Sequence, residues 1–369
     1  MVKVGETTLF LDLAALEHNY HYLRSKIEPE TKFMAVVKAF AYGSDMVAVS
    51  KKLERLGVDY FAVAYVGEGV LLRNAGIKTP ILVLHPLASN FDDLIDRCLE
   101  PNLYSRNILT QFLEVAAAKQ QQDYPVHIKF NTGLNRLGFG ENDTSWIAQQ
   151  VTNNDTIRVK SVFSHLAASE DPNERVFSLG QIESFKKASD ALIQKLGYAP
   201  MRHMLNTSGI INYPEAQFEM VRSGIGLYGY GNEAVVDAEL KPVATLKTII
   251  SQIHEIGPNE SVGYNRAFKS GSMKRTATLP IGHADGINRQ YGKGRSAVQI
   301  HGKMAPLIGN VCMDMIMVDV TDIDCAEGDE VIVFGPQNSA ESFASGAGTI
   351  SYEILTAISQ RVKRVVLND

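Results

Sequence analysis

Lys38 stands directly after an apolar run, Phe33–Val37, that is predicted to be a buried strand. Burial disfavours the charged form of an amine, so a lysine held there has a lowered pKa and a free lone pair. Such an amine can form a Schiff base with a carbonyl compound. The competing interpretation is a lysine whose stem packs on the strand end while its charge reaches solvent.

Two further polar side chains follow predicted strands in the same way. His165 follows the strand Val159–Ser164, and Arg222 follows the strand Glu219–Val221. The carboxyl ends of strands in a parallel barrel meet on one rim, so all three side chains are expected to face that rim. A lone histidine at a strand end is more often structural, but three polar residues on one rim favour a site.

Two segments rich in hydroxyls and glycine follow the seventh and eighth predicted strands. They are residues 206–209 (NTSG) and 223–226 (SGIG). Phosphate groups in such barrels usually bind to the loops at these two positions, because backbone amides there act as donors. Each segment alone is also typical of an ordinary turn. Their position after these two strands favours phosphate binding.

The elements that must position these residues alternate between short apolar runs and stretches with helical periodicity, such as 45–56 and 181–196. The predicted strands are Phe33–Val37, Tyr60–Ala64, Ile81–Leu84, Pro101–Tyr104, Val126–Phe130, Val159–Ser164, Arg202–Leu205 and Glu219–Val221. Eight strands with intervening helices predict an α/β fold with a (β/α)8 TIM-type barrel rather than an open sheet.

The pattern changes after about residue 240, where short strand-like runs are separated by Gly, Pro and Asn. The clearest runs are Thr276–Ile281, Ala297–His301, Ala305–Val320 and Glu330–Phe334, and helical patterning returns at Ser351–Ile358. We therefore predict two domains, a barrel over residues 1–235 and a smaller, mainly β C-terminal domain over residues 236–369.

The amino-acid composition limits the classes of function that the protein can have. The 369 residues are 45% hydrophobic and 21% charged, which is typical of a folded globular enzyme, and the net charge of −5 disfavours nucleic acid and anionic membranes as partners. The three cysteines lack metal-ligand spacing and suggest reduced thiols. No membrane span or signal peptide is evident, so a cytoplasmic protein without a metal site is expected.

Six segments of the chain form an ordered set of motifs. They are residues 35–43 (AVVKAFAYG), 131–139 (NTGLNRLGF), 220–225 (MVRSGI), 262–264 (VGY), 281–286 (IGHADG) and 311–314 (VCMD). In this order they resemble the alanine racemase family, a group of fold type III pyridoxal-phosphate enzymes. The resemblance runs over nearly the whole chain, and chance does not produce six ordered matches.

This resemblance implies that Lys38 carries pyridoxal 5′-phosphate and acts as one catalytic base, with Tyr264 as the other. Racemisation needs two groups on opposite faces of Cα, because a single base returns the proton to the face it left. By the same resemblance, His165 backed by Arg222 favours the Tyr264 anion, and Arg222 donates to the pyridine nitrogen. The remaining implied cofactor-binding residues are Tyr42, Asn206, Thr207, Gly224, Ile225 and Tyr352.

The family also implies residues on the substrate side. Arg136 would lie near the substrate carboxylate, Met313 would offer it a backbone amide, and His283 would lie near the entrance. Lys129 would be a carbamylated lysine that orients Arg136, with an unmodified lysine as the alternative. The implied assembly is a homodimer with shared active sites, in which the second domain brings Tyr264 and Met313 to the partner's barrel.

Four residues depart from the family pattern. Phe40 stands in place of asparagine, Asn131 in place of aspartate, Ser223 in place of proline and His283 in place of tyrosine. The last departure bears on substrate size and entry rather than on the type of reaction.

The expected activity is interconversion of L-alanine and D-alanine, which would supply D-alanine for peptidoglycan. A racemase for serine or of broad specificity remains an alternative, because its cofactor motifs would look alike. A fold type III decarboxylase is disfavoured, since its Cys-Glu-Ser motif is absent. A non-enzymatic pyridoxal-phosphate-binding protein would not need the second domain.

Overall fold

The computed structural model describes residues 5–231 and 233–369. Residues 1–4 and 232, which fall inside the predicted first domain, lie outside the described residues. In chain order the first nine strands are β1 (Thr8–Asp12), β2 (Lys32–Val36), β3 (Tyr60–Val63), β4 (Ile81–Val83), β5 (Glu100–Leu103), β6 (Tyr124–Lys129), β7 (Ile157–Phe163), β8 (Met201–His203) and β9 (Met220–Ser223).

Strands β2 to β9 form a closed barrel in which all neighbours are parallel. Closure follows from the pairing of the first barrel strand with the last, in which Lys32 lies opposite Met220. The barrel helices are Leu13–Arg24, Met46–Arg55, Val66–Asn74, Phe91–Asp96, Arg106–Ala118, Thr144–Thr152, Arg175–Leu196 and Thr207–Asn212. The predicted (β/α)8 barrel is confirmed.

The helix Met46–Arg55 illustrates how the sequence sets these elements. Asp45 caps its first turn by accepting hydrogen bonds from the amides of Val47 and Ala48, which would otherwise lack a partner. Val49 and Leu53, four residues apart, lie on one face of the helix and are fully buried. The apolar face therefore packs on the barrel, and the chain returns in the direction needed for the next parallel strand.

The remainder of the chain is built mainly of strands. These are β10 (Ala244–Ile249), β11 (Gln252–Ile256), β12 (Ser261–Val262), β13 (Phe268–Lys269), β14 (Lys274–Leu279), β15 (Ala297–Ile300), β16 (Lys303–Ile308), β17 (Ile316–Asp319), β18 (Glu330–Phe334) and β19 (Lys363–Leu367). Short helices occupy Ala234–Asp237, Ala340–Ser345 and Ser351–Ala357. The β-rich character of this region and the late helix were both predicted.

The N-terminal strand β1 belongs to the second sheet rather than to the barrel. That nine-stranded sheet has the order β11-β14-β17-β16-β15-β18-β10-β1-β19. Leu11 lies opposite Ala244 in β10 on one side and opposite Val366 in β19 on the other. The start of the chain therefore ties the two ends of the C-terminal region together, a placement that local sequence patterns do not predict.

Two strand predictions need correction. The run Ala305–Val320 is two antiparallel strands, β16 and β17, because the chain turns at Gly309, whose φ of +67° suits glycine. Arg222 does not follow its strand but is the third residue of β9. The strand continues through Arg222 because its guanidinium finds hydrogen-bond partners inside the barrel. None of the described helices is both long and apolar enough to cross a membrane.

Candidate active site

A cavity of about 600 Å³ opens at the carboxyl ends of the barrel strands. Most of the residues predicted to form a site line it, namely Lys38, Tyr42, Lys129, Arg136, His165, Asn206, Thr207, Arg222, Gly224, Ile225 and Tyr352. Val36, Ala64, Tyr65, Leu84, His85, Leu137 and Phe163 complete the lining. Strand-end positions far apart in the sequence thus share one pocket, as the geometry of a parallel barrel requires.

Lys38 begins a left-handed turn. The next four residues, Ala39 to Tyr42, all have φ between +53° and +55°. Each residue in this conformation costs about 1–2 kcal/mol, since Cβ crowds the following carbonyl oxygen. The turn ends at Gly43, where an added Cβ would lie 2.0 Å from the carbonyl oxygen of Leu355. Close contact with the helix Ser351–Ala357 therefore constrains the turn, which presents both Lys38 and Tyr42 to the cavity.

Glu68 anchors the start of this turn. Its Oε1 accepts a hydrogen bond from the amide of Ala39 at 2.6 Å, and its Oε2 accepts one from the amide of Ala64 at 2.7 Å. Burial lowers the pKa of the neighbouring Lys38, and the positive charge of Arg136 lowers it further, while Glu68 opposes both effects. The amine of Lys38 is therefore easier to deprotonate than an ordinary lysine, as its position after a buried strand predicts.

Arg222 is held on two sides inside the barrel. Its Nη1 donates to Nδ1 of His203 at 2.5 Å, and its Nη2 contacts the carbonyl oxygens of Ser164 and Met204 and Nδ1 of His165 at 3.1 Å. Nε of Arg222 has no hydrogen-bond partner among the described residues. Burial and the charge of Arg136 lower the pKa of Arg222 to about 9, so the guanidinium stays largely protonated at neutral pH.

The two loops predicted to bind phosphate are joined to each other. Oγ of Thr207 lies 3.0 Å from Oγ of Ser223 and accepts a hydrogen bond from the amide of Gly226. The backbone amides of Gly224 and Ile225 have no hydrogen-bond partner in the part of the chain that the structure describes. A Cβ on Gly224 would lie 2.1 Å from the hydroxyl of Tyr42, so only glycine leaves this corner of the cavity open.

Positive charge is concentrated around Phe163 of β7, where side chains from β6 and β9 converge. Lys129 is buried, and its pKa falls to about 8 through burial first and then through the charges of Arg136, Arg222 and Lys38. Both Lys129 Nζ and the Arg222 guanidinium lie over the ring of Phe163, at 5.7 and 5.4 Å from its centre. No carboxylate is among the described residues that line the cavity. The pocket therefore favours an anionic ligand.

His165 contributes a neutral imidazole to this wall. Burial lowers its pKa well below the ordinary value, and the charge of Arg222 acts in the same direction. Because a guanidinium can only donate, the Nδ1 atom that faces Arg222 accepts, and the ring proton resides on Nε2.

Within a single chain, three of the predicted site residues lie outside this cavity. Tyr264 is 74% exposed in the turn Tyr264–Arg266, and Met313 is 59% exposed. His283 lines a separate cavity of about 520 Å³ with Asn288, Arg289 and Glu353. The structure of one chain therefore brings together the barrel residues of the predicted site and Tyr352 of the second domain, but not Tyr264, Met313 or His283.

Several residues of the site were not found from the sequence. His85 follows β4 and could have been found by the strand-end argument used for Lys38. Glu68 carries a weaker signal, because it stands at the third position of a helix, where a carboxylate often reaches back to free amides. His203 gives no such signal, because a histidine inside a strand does not reveal which way it points.

Fold and cavity together define a barrel enzyme with a lysine-bearing, cationic pocket. A family model described as "Alanine racemase, N-terminal domain" matches residues 11–232, and "Alanine racemase, C-terminal domain" matches residues 243–366. The chain belongs to the alanine racemase family, whose members are isomerases.

Individual relatives agree with this membership. The alanine racemase of Halothermothrix orenii is 36% identical over 366 residues, which cover 97% of this chain and 96% of that protein. The solved alanine racemase of Clostridium difficile 630 superposes with a TM-score of 0.91 at 33% identity, covering 98% of this chain and 96% of that one. A structure from Bartonella henselae, described as alanine racemase with covalently bound pyridoxal phosphate, gives 0.90 at 28% identity, covering 98% and 100%.

The charge cluster predicts a measurable coupling between Arg136 and Lys129. Replacing Arg136 by Met removes the largest charge effect on Lys129, so we expect its titration midpoint to rise from about 8. NMR of ¹³Cε-labelled lysine in buffer free of carbon dioxide measures this midpoint. Arg106→Met is the matched control, because Arg106 pairs with Asp143 on the outside of the barrel. Equal midpoints in the wild type, Arg136→Met and Arg106→Met would contradict the effect of Arg136 on the pKa of Lys129.

Proposed function

We propose that the protein interconverts L-alanine and D-alanine with pyridoxal 5′-phosphate as its cofactor. The observation that carries the proposal is one cationic cavity that brings together Lys38, Arg222 and the two loops after β8 and β9. The relatives named alanine racemase, one of them with covalently bound pyridoxal phosphate, support the same substrate and cofactor. The product would be D-alanine for peptidoglycan, made in the cytoplasm.

The residues present fit this cofactor. The amides of Gly224 and Ile225, which have no partner among the described residues, and the hydroxyl of Thr207 would hold the phosphate, together with Tyr42, Asn206 and Tyr352. Lys38 would carry the cofactor covalently. Nε of Arg222, which has no partner in the described part of the chain, would donate to the pyridine nitrogen, and His165 lies beside Arg222.

When bound, pyridoxal phosphate supplies an electron-withdrawing ring that stabilises negative charge on the substrate Cα. As a free amine, Lys38 would accept a proton from one face of Cα, and its lowered pKa keeps that amine neutral and so able to accept. Tyr264 of a second copy returns a proton to the opposite face. Arg222 would donate a hydrogen bond to the ring nitrogen without readily transferring a proton, and would thereby keep the bound cofactor a weaker electron sink. This favours return of the proton to Cα over other reactions.

Arg136 and the Met313 amide would bind the substrate carboxylate, and His283 would lie at the entrance. We propose that Met313, His283 and Tyr264 reach the cavity from the partner in a homodimer. Support comes from the exposure of Tyr264 and Met313 and from the exposed Tyr65 and Phe40 at the barrel mouth, which a second copy would cover. A closed two-fold dimer then holds two equivalent sites.

The activity is tested with the purified protein, pyridoxal phosphate and either L-alanine or L-serine, followed by chiral chromatography. We expect D-alanine to form, and we expect Lys38→Ala to abolish its formation while Lys51→Ala, at an exposed lysine, does not. Borohydride reduction and peptide mapping should place a pyridoxyl group on Lys38. Faster formation of D-serine, or an adduct on another lysine, would overturn the substrate or the cofactor site respectively.

Shared sites are tested by mixing two inactive proteins, Lys38→Ala and Tyr264→Ala, under conditions that exchange subunits. Random exchange makes half of the dimers mixed, and each mixed dimer has one intact site of two, so activity should return to about a quarter of the wild-type value. Native mass spectrometry of the mixture, in which a mixed dimer has a mass between those of the two parent dimers, checks that exchange has occurred. Zero recovery despite exchange would mean that the two residues do not meet across the interface.

We also propose that Lys129 is carbamylated. Carbon dioxide reacts with neutral amines, and a pKa of about 8 leaves about one tenth of Lys129 neutral at pH 7. The resulting negative group would relieve repulsion with Arg136 and orient it. Incubation with ¹³C-bicarbonate should give a carbamate signal in NMR that disappears in Lys129→Met. A carbamate signal of equal size in Lys129→Met would contradict carbamylation of Lys129.

A further inference from the structure

A chain of buried side chains crosses the interior of the barrel and ends at Arg222. Its members are Glu100, His127, Ser161, His203 and Arg222, one from each of the adjacent strands β5, β6, β7, β8 and β9. All are less than 9% exposed, and the two histidines and the serine are fully buried. Of the five, only Arg222 lines the cavity. The proposed function assigns no role to the other four residues.

Four short contacts connect these residues. Oε2 of Glu100 lies 2.7 Å from Nε2 of His127, whose Nδ1 lies 2.6 Å from Oγ of Ser161. That hydroxyl lies 2.8 Å from Nε2 of His203, and Nδ1 of His203 lies 2.5 Å from Nη1 of Arg222. Within the described residues, the two imidazoles are the only hydrogen-bond partners of the Ser161 hydroxyl.

The chemistry of the two ends sets the direction of every hydrogen bond. A guanidinium only donates, so Nδ1 of His203 must accept. Burial, followed by the charge of Arg222, lowers the pKa of His203 well below the ordinary value, so this imidazole is neutral and carries its proton on Nε2. It therefore donates to Ser161, which donates to Nδ1 of His127, which donates through Nε2 to Glu100. A carboxylate at the far end can accept that last proton.

The chain also links two buried charges. Among the described residues, no carboxylate lies within ion-pair distance of Arg222, and the only basic side chain within that distance of Glu100 is the imidazole of His127. An uncompensated charge inside a protein is costly, whereas a polarised chain of hydrogen bonds between a cation and an anion offsets part of that cost. The two imidazoles and the hydroxyl thus connect the carboxylate to the guanidinium by an unbroken series of hydrogen bonds.

We propose that Glu100, His127, Ser161 and His203 form a positioning relay that fixes the orientation of Arg222. His203 of the relay accepts a hydrogen bond from Nη1 of Arg222, and the carbonyl oxygens of Ser164 and Met204 accept hydrogen bonds from Nη2. Among the described residues this leaves Nε as the donor of Arg222 without a partner, and Arg222 lines the cavity. The inference rests on the proposed function, in which Arg222 faces the cofactor ring, and these four residues act only through Arg222.

The proton arrangement can be measured on the wild-type protein without any assay of activity. In ¹⁵N-histidine NMR, His127 and His203 should both be neutral, each with its proton on Nε2. A ring proton on Nδ1 of either histidine, or a doubly protonated ring, would overturn the relay. Because this measurement needs no substrate, it remains decisive even if the protein racemises no amino acid.

The effect on Arg222 is tested by Ser161→Ala, which interrupts the relay at its centre. We expect kcat to fall about tenfold with little change in KM, together with a shifted absorbance of the bound cofactor, as for loss of one hydrogen bond that positions a donor. Ser189→Ala is the matched control, because Ser189 is equally buried but donates within its own helix.

Ser161→Thr keeps the hydroxyl and should restore both kcat and the absorbance. If Ser161→Ala and Ser189→Ala have the same kcat and the same absorbance spectrum, the relay only stabilises the barrel and the proposal fails. If Ser161→Ala does not fold, Ser161→Thr and the wild-type NMR measurement still decide.

Discussion

Everything in the site depends on how the barrel holds positive charge away from water. Lys129 and Arg222 are buried, Lys38 is partly buried, and no described residue of the cavity lining supplies a carboxylate. Burial is the first cause of the lowered pKa of each, and Arg136 adds to all three shifts. Such a pocket is stabilised by anions, which is why a phosphate, a carboxylate and a carbamate are the groups that suit it.

Backbone strain and tertiary contacts position the same charges. The left-handed turn from Ala39 to Tyr42 is unfavourable by itself, and it persists because Glu68 binds its first amide and Gly43 packs against Leu355. Arg364 also donates to the carbonyl oxygen of Gly43, so a residue of β19 helps to hold the turn. The second domain thereby supports the position of Lys38 within its own chain, apart from any contribution to a partner.

Arg222 connects the cavity to the barrel interior. Its Nη atoms are committed to His203 and to backbone carbonyl oxygens, so its remaining donor has a defined direction. Tyr264 and Met313 differ from Arg222, because in the single chain their side chains are largely exposed to solvent. One half of the proposed site is therefore preorganised by the barrel, and the other half would depend on the homodimer that we propose.

The sequence by itself was sufficient for the eight-stranded barrel, the β-rich second region and most of the cavity lining. These depend on local patterns: apolar runs mark buried strands, and in a parallel barrel the residues that follow them must meet on one rim. Only the tertiary structure decided the pairing of β1 with β10 and β19, the left-handed turn after Lys38, and the chain from Glu100 to Arg222. Each of these depends on contacts between residues far apart in sequence, and neither residue type nor spacing reveals which strand residues face each other across the barrel.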